Sequence, residues 1–285
     1  MTQKFWIVDT FSIRAFGGVP SAVFFVDEFG RDDLLQNIAM EINTPETIFV
    51  KRECNGAVEA KCYTPNYGGM HFGNSVFAAA KVILSKDSIK ETTITCDGIT
   101  YEAVMCSDGK ITIGFANEPL EKVSTPINMS STLGGVIIVS IAKCGRELIV
   151  EIRSPGKLAN LSINMDILRT MNYDSIVVTT DAHYSGDVGY DFCANVYAPK
   201  LGIFRDITTP VASVALAEYW HERMNKRELV GVQISATKCG QTTARREPDI
   251  THVTGNCMIV MSGEMLITPE STDCKDIELK TSTGP

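Results

Sequence analysis

No two of the nine cysteines form a Cys-x-x-Cys pair; they are odd in number and scattered at positions 54, 62, 96, 106, 144, 193, 239, 257 and 274. That is the pattern of reduced thiols inside a cell, and it excludes a disulfide framework or a zinc site as the organising element. No basic cluster offsets the net charge of −8, which argues against nucleic acid or an anionic membrane as a partner. No apolar run approaches the length of a membrane span, and Met1 to Asp9 is too short and too soon charged for a signal peptide, so a cytoplasmic protein is expected. Only four histidines occur, His71, His183, His221 and His252, none at metal-ligand spacing, so no metal is expected. There is no Gly-x-Gly-x-x-Gly between a strand and a helix, no phosphate-binding P-loop and no Gly-x-Ser-x-Gly elbow. Nucleotide cofactors and α/β-hydrolase chemistry therefore have no foothold, and the expectation is that no cofactor is used.

What the 285 residues do contain is a repeat. Ala60-Lys61-Cys62-Tyr63-Thr64-Pro65 is followed by Ser75 and the apolar run from Val76 to Leu84; Ala194-Asn195-Val196-Tyr197-Ala198-Pro199 is followed by Thr209, Pro210 and the apolar run to Ala217, at a constant offset of 134. Upstream, Asp33 to Met40 leading into Ile48-Phe49-Val50 resembles Asp166 to Met171 leading into Ile176-Val177-Val178. Repetition on this scale implies two similar lobes with a cleft between them. The lobes are expected over residues 1–120 and 130–285, with Asn117 to Thr132 as linker and the last segment returning to the first lobe.

Both repeated runs predict helices that are apolar almost all round, hence buried. Ser75 and Thr209, the latter with Pro210 behind it, are suited to the helix starts. The first N–H groups of a buried helix lack intrahelical partners and carry partial positive charge, so two such ends facing one cleft could seat a carboxylate or a developing oxyanion. Around the helices, strands are predicted at Phe5 to Val8, Ala22 to Val26, Thr47 to Val50, Val58 to Tyr63, Thr92 to Cys96, Ile99 to Met105 and Ile111 to Phe115. An amphipathic helix is predicted from Asp32 to Ile42. In the second half, strands are expected at Gly135 to Ala142, Leu148 to Ile152, Val230 to Ser235 and Met258 to Met261, before a polar tail from Pro269.

Glu46 opens an apolar strand, a placement that suits a general acid or base. The loop before the first buried helix, His71-Phe72-Gly73-Asn74-Ser75, has a glycine where a backbone must approach a ligand closely. Its counterpart is Arg205-Asp206-Ile207-Thr208-Thr209, which sets Asp206 opposite Phe72. Val8-Asp9-Thr10-Phe11, Phe16-Gly17-Gly18-x-Pro20-x-Ala22-Val23, Glu46-Thr47-x-Phe49-Val50, Tyr63-Thr64-Pro65 and Tyr197-Ala198-Pro199-x-Leu201-Gly202-Ile203 together resemble the PhzF-like phenazine-biosynthesis isomerase family. Asp206-x-x-Thr209, Ala215-Leu216-Ala217-x-Tyr219-Trp220 and Val260-Met261-x-Gly263-Glu264 continue the likeness in order.

The resemblance implies an α+β, diaminopimelate-epimerase-like fold of two pseudo-symmetric lobes, each with strands wrapped around a central buried helix. It implies a cofactor-free isomerase that moves a proton on a small carboxylate-bearing metabolite, working as a homodimer. Glu46 matches the family's proton shuttle and Asp206 its aspartate, the two catalytic residues the resemblance implies; Gly73, Asn74, Ser75, Thr208 and Thr209 match the substrate-binding positions. The likeness has gaps: Phe72-Gly73-Asn74 stands where the family reads Cys-Gly-His, and Thr209-Pro210-Val211-Ala212-Ser213 where it reads Thr-Gly-Ser-Ala-His. Asn195 replaces an arginine, and Gly68 an acidic residue. An amide cannot exchange a proton near neutral pH as imidazole can. The alternative is therefore a ligand-binding protein that keeps the cleft without turnover. Racemisation by paired thiols is disfavoured, because Phe72 and Asp206 stand where related epimerases place cysteines.

Overall fold

The computed structural model describes residues 2–12, 14–54, 56–66, 73–153, 155–158, 160–185, 189–201, 209–234 and 239–266. The first half contains β1 (Thr2–Thr10), β2 (Val19–Val26), α1 (Asp32–Ile42), β3 (Glu46–Arg52), β4 (Val58–Tyr63), α2 (Asn74–Asp87), β5 (Glu91–Cys96), β6 (Ile99–Met105) and β7 (Ile111–Ala116). Then come β8 (Leu120–Lys122), α3 (Met129–Thr132), β9 (Ile138–Cys144), β10 (Glu147–Ile152), α4 (Pro155–Leu158), α5 (Met165–Thr170), β11 (Ser175–Asp181) and β12 (Phe192–Tyr197). The chain continues through α6 (Pro210–Met224), β13 (Glu228–Ile234), β14 (Cys239–Arg246), β15 (Ile250–Gly255) and β16 (Cys257–Leu266).

All sixteen strands join one sheet in the order β16-β1-β2-β3-β4-β5-β6-β7-β15-β14-β13-β12-β11-β10-β9-β8. The order is a palindrome of two eight-strand wraps, one around α2 and one around α6, joined where β7 and β15 pair antiparallel. The parallel pairs fall at matching places, β2–β3 and β4–β5 in one wrap, β10–β11 and β12–β13 in the other. Each wrap takes its outermost strand from beyond the seam: β8 follows β7 into the second, and β16 follows β15 back to pair with β1. The Asn117 to Thr132 stretch is thus more than a linker, since β8 lies within it as an edge strand and Met129 and Thr132 are buried.

The apolar character of the central helices follows from this enclosure. In α2 every residue from Asn74 to Ala80 is buried, as are Val82, Ile83 and Leu84; in α6 the buried set includes Ala212, Val214, Ala215, Leu216, Tyr219 and Trp220. By contrast α1 lies outside the first wrap with only Leu35, Ile38 and Ala39 fully covered, and Asp32 and Asp33 in its first turn complement its dipole. Strands between an inner helix and an outer layer lose the inside-outside alternation: β10 and β12 are buried at all six positions.

The register reveals a swap between the wraps. Ser21 of β2 pairs with Glu46 of β3, and Glu147 of β10 pairs with Ser175 of β11. Thr47 pairs with Tyr63 as Ile176 pairs with Tyr197, so Glu46 corresponds to Ser175 and Ser21 to Glu147. Between Glu46 and Ser175 the offset is thus five less than the 134 of the later motifs, because the β11–β12 connection is longer than that between β3 and β4. All four side chains face a central helix, since Ile48 and Val23 pack around α2 while Ile149 and Val177 pack around α6. Glu46 has a donor, described below. Glu147 is 4% exposed, and its Oε2 has no hydrogen-bond partner among the described residues. Burial pushes its pKa up to about 8, with Asp174 adding to the rise and Arg146 opposing it.

A raised carboxyl pKa means that folding favours the protonated form, so this stability is complete below the ordinary carboxyl range and is lost as pH rises toward 8. Urea unfolding of the parent and of Glu147→Gln should therefore diverge between pH 6 and 8.5, the variant gaining about 2 kcal/mol relative to the parent. A pH-independent difference would show that the carboxyl is not held neutral by the fold.

Candidate active site at the two helix starts

Glu46 begins β3, is fully buried, and faces the start of α2. Its Oε2 accepts the backbone N–H of Ser75 at 2.6 Å. Ser75 is the second residue of α2; the N-cap is Gly73, which has no side chain with which to cap. A strand carboxylate thus does what a capping side chain does elsewhere, meeting one of the unpaired N–H groups at the positive end of the helix. Ser75 is therefore inside the helix, whereas Thr209 is the true N-cap of α6, so the two positions expected to correspond do different work.

Asn74, also fully buried, has its Oδ1 3.2 Å from the Thr10 hydroxyl, which lies equally close to the Val19 carbonyl. One hydroxyl proton cannot serve both acceptors fully. Turning the amide over would let Nδ2 donate to Thr10 instead, and in either orientation one end of the amide has no partner among the described residues. Cys62 Sγ lies 3.2 Å from Ser75 Oγ. Burial holds the Cys62 thiol well above its ordinary pKa, and the charge of Glu46 adds to the effect, so it supplies no thiolate.

At the other helix start, Thr209 Oγ1 accepts the Ala212 N–H at 3.0 Å and the Thr209 carbonyl accepts the Ser213 hydroxyl at 2.8 Å. The starts of α2 and α6 abut. A Cβ added to Gly73 would lie 3.1 Å from both Pro210 Cγ and Phe115 Cε1, and Gly73 has φ +90°, in the region that favours glycine. At each start one N–H is already engaged, that of Ser75 by Glu46 and that of Ala212 by Thr209.

The structure therefore gathers Glu46, Gly73, Asn74 and Ser75 at one helix start and sets Thr209 at the adjoining one. Asp206 and Thr208 lie outside the described residues, as do Phe72 and Gly68. Thr10, Ser21 and Cys62 were not singled out from sequence, although Thr10 and Cys62 fall within motifs that were. Their signal was present in those motifs, but only the fold shows that they point at the α2 start. Among the described residues no group of three His, Cys, Asp or Glu side chains is placed to hold a metal ion, and no helix is long and apolar enough to cross a membrane.

Two helix-centred wraps with a carboxylate at a helix start define a diaminopimelate-epimerase-like α+β protein. The chain belongs to the phenazine biosynthesis-like protein family, whose model matches residues 8–263. A protein from Halalkalibacterium halodurans named as an uncharacterised isomerase is 28% identical over 273 residues, covering 94% of this chain and 100% of its own. The crystal structure of a PhzF-family phenazine biosynthesis protein from Enterococcus faecalis superposes with a TM-score of 0.85 at 22% identity, covering 94% of this chain and 100% of that one. A hydroxyproline epimerase from Agrobacterium vitis, solved with bound trans-4-hydroxy-L-proline, shares the fold at a TM-score of 0.58 and 11% identity, covering 92% of each chain.

Gly73→Ala should be destabilising on two counts, the left-handed backbone and the crowding against Pro210 and Phe115. A loss of about 2–4 kcal/mol in urea unfolding is expected. A loss below about 0.5 kcal/mol would mean that the helix starts separate readily, contrary to a tightly set junction.

Proposed function

We propose that this chain is a cofactor-independent isomerase of the phenazine-biosynthesis type, moving a proton on a small carboxylate-bearing metabolite with Glu46 as acid and base. The observation that carries the proposal is the buried Glu46 carboxylate held by the Ser75 N–H at 2.6 Å, with Asn74 beside it in α2. Family membership and the isomerase name of a relative support the reaction class. In this reading Gly73, Asn74, Ser75, Thr208 and Thr209 bind the substrate, and Asp206 and Asn74 orient it. The protein works as a homodimer in the cytoplasm.

A proton shuttle needs an anion before the step and a neutral acid after it. The Glu46 carboxyl is fully buried, with the Ser75 N–H aimed at its Oε2. Asn74 can orient a substrate by hydrogen bonds but cannot accept its proton. The Cys62 thiol is held protonated. With Asp206 in an orienting role, Glu46 both removes the proton and returns it, and a single base returns it to the face from which it came. That favours relocation of a proton along the substrate over inversion of a stereocentre.

Asn74 in the family's histidine position, together with the commitment of the Thr209 hydroxyl to Ala212, favours a second reading in which a ligand is held without being converted. A thermal-shift screen of small cyclic amino acids and carboxylates separates the two, since binding raises the melting temperature with or without turnover. On a converted substrate, Glu46→Gln should leave affinity within about tenfold and lower turnover by roughly a hundredfold or more. Near-native turnover in that variant would rule out the glutamate shuttle, and binding with no conversion by the parent would favour the second reading. Light scattering at micromolar concentration should give twice the chain mass; a monomer would refute the homodimer.

A further inference from the structure

A cavity of about 750 Å³ opens between the ends of β6 and β7 on one side and β9, β10 and α6 on the other. None of Glu46, Gly73, Asn74, Ser75 or Thr209 lines it. Its apolar wall includes Tyr101, Phe115, Val211, Val214 and Ala215, and buried in its side is Glu147. This is the carboxyl whose Oε2 lacks a partner. Glu46 has a backbone donor at the start of α2, whereas Glu147 stands at the place of Ser21, one strand away from Glu46's own counterpart Ser175.

The other charges lining the cavity decide what Glu147 can receive. Arg146 grips Asp174 through two contacts, Nη2 to Oδ1 at 2.6 Å and Nε to Oδ2, and Lys143 pairs with Glu121 at 3.6 Å. Both cations are thus engaged by carboxylates, leaving Glu118 at the rim as surplus negative charge and Glu147 in the wall as a buried carboxyl. An anion would meet repulsion here, and a purely apolar molecule would leave the carboxyl unpaired. A positively charged amine on an apolar body satisfies both parts, its N–H groups reaching the carboxylate and its body lying on the aromatic and aliphatic wall.

We propose that this cavity is a binding site for small organic ammonium ions, with Glu147 as the residue that recognises the charge. The site is separate from the candidate site at Glu46 and does not depend on the isomerase reading. Because burial holds the free carboxyl up near 8, an incoming cation must displace its proton. The other ionisable groups around it do not substitute for that proton: Asp174 and Arg146 are paired with each other, and burial pushes the Cys144 thiol up to about 12.

Calorimetry on the full chain with 2-phenylethylamine, n-hexylamine and tryptamine tests this, with 2-phenylethanol and 3-phenylpropanoate as the neutral and anionic counterparts. At least one amine should bind saturably, releasing close to one proton near pH 7 when titrated in buffers of different ionisation enthalpy. The alcohol should bind at least tenfold more weakly, and the carboxylate not measurably. Glu147→Gln should weaken the amine at least tenfold and abolish the proton release while keeping the parent's circular dichroism, and Glu46→Gln should leave amine binding unchanged. Absence of binding by all three amines up to 10 mM, equal binding of the carboxylate, or unchanged binding in Glu147→Gln would each overturn the proposal. Loss of binding in Glu46→Gln alone would place the amine in the other cleft and overturn it equally.

Discussion

A helix sealed inside a wrap of strands cannot use water to satisfy its first backbone N–H groups, and each one left unpaired costs about 1–3 kcal/mol. The two lobes answer this differently. At α6 the chain supplies its own Thr209 hydroxyl, a local cap worth about 1 kcal/mol. At α2 the cap position is Gly73, and the donor is met by Glu46, 29 residues earlier in the chain. A charged hydrogen bond of this kind is worth about 1.5–3 kcal/mol. It ties β3 to α2 and places a carboxylate at the positive end of a helix. The proposed chemistry and the cohesion of the first lobe therefore share one contact.

The same strand position illustrates how duplication can separate roles. Each lobe has one glutamate and one serine on neighbouring parallel strands facing the central helix, with their order exchanged. Glu46 meets a backbone donor at the start of α2; Glu147 lines the cavity, its Oε2 without a partner among the described residues. Exchanging the two residue types between neighbouring strands thus puts each glutamate in a different environment.

Those two helix starts also hold the lobes together. Pro210 sits against Gly73, Val214 of α6 packs in the apolar cluster around α2, and β7 pairs with β15 along six residues. Main-chain pairing fixes the two wraps in register, and the small residue at position 73 permits the close approach. A substitution at this junction would be felt at the candidate active site and across the seam at once.

Where pattern was strong, the sequence was sufficient: α1, β4 and β6 occupy the predicted spans, and the repeated apolar runs are the two central helices. These elements were legible because the residue spacing itself decides which face is covered. The remaining elements required partners. β8 is three residues of a polar stretch and is a strand only because β9 lies beside it. β14, with Gln241, Thr242, Thr243, Arg245 and Arg246, has little apolar alternation and gains its place from pairing on both sides. Glu46 was visible as a candidate because it opens an apolar strand, but its donor was not. Its hydrogen bond joins distant segments, and a constant offset between repeats hid a connection of different length. The amino-acid sequence by itself determined the buried helices, the duplication and the absence of a second proton carrier at position 74. Only the tertiary structure decided which carboxylate meets a helix N–H and which faces an open cavity, because partner choice depends on register and loop length, and neither is encoded in the local pattern of any one segment.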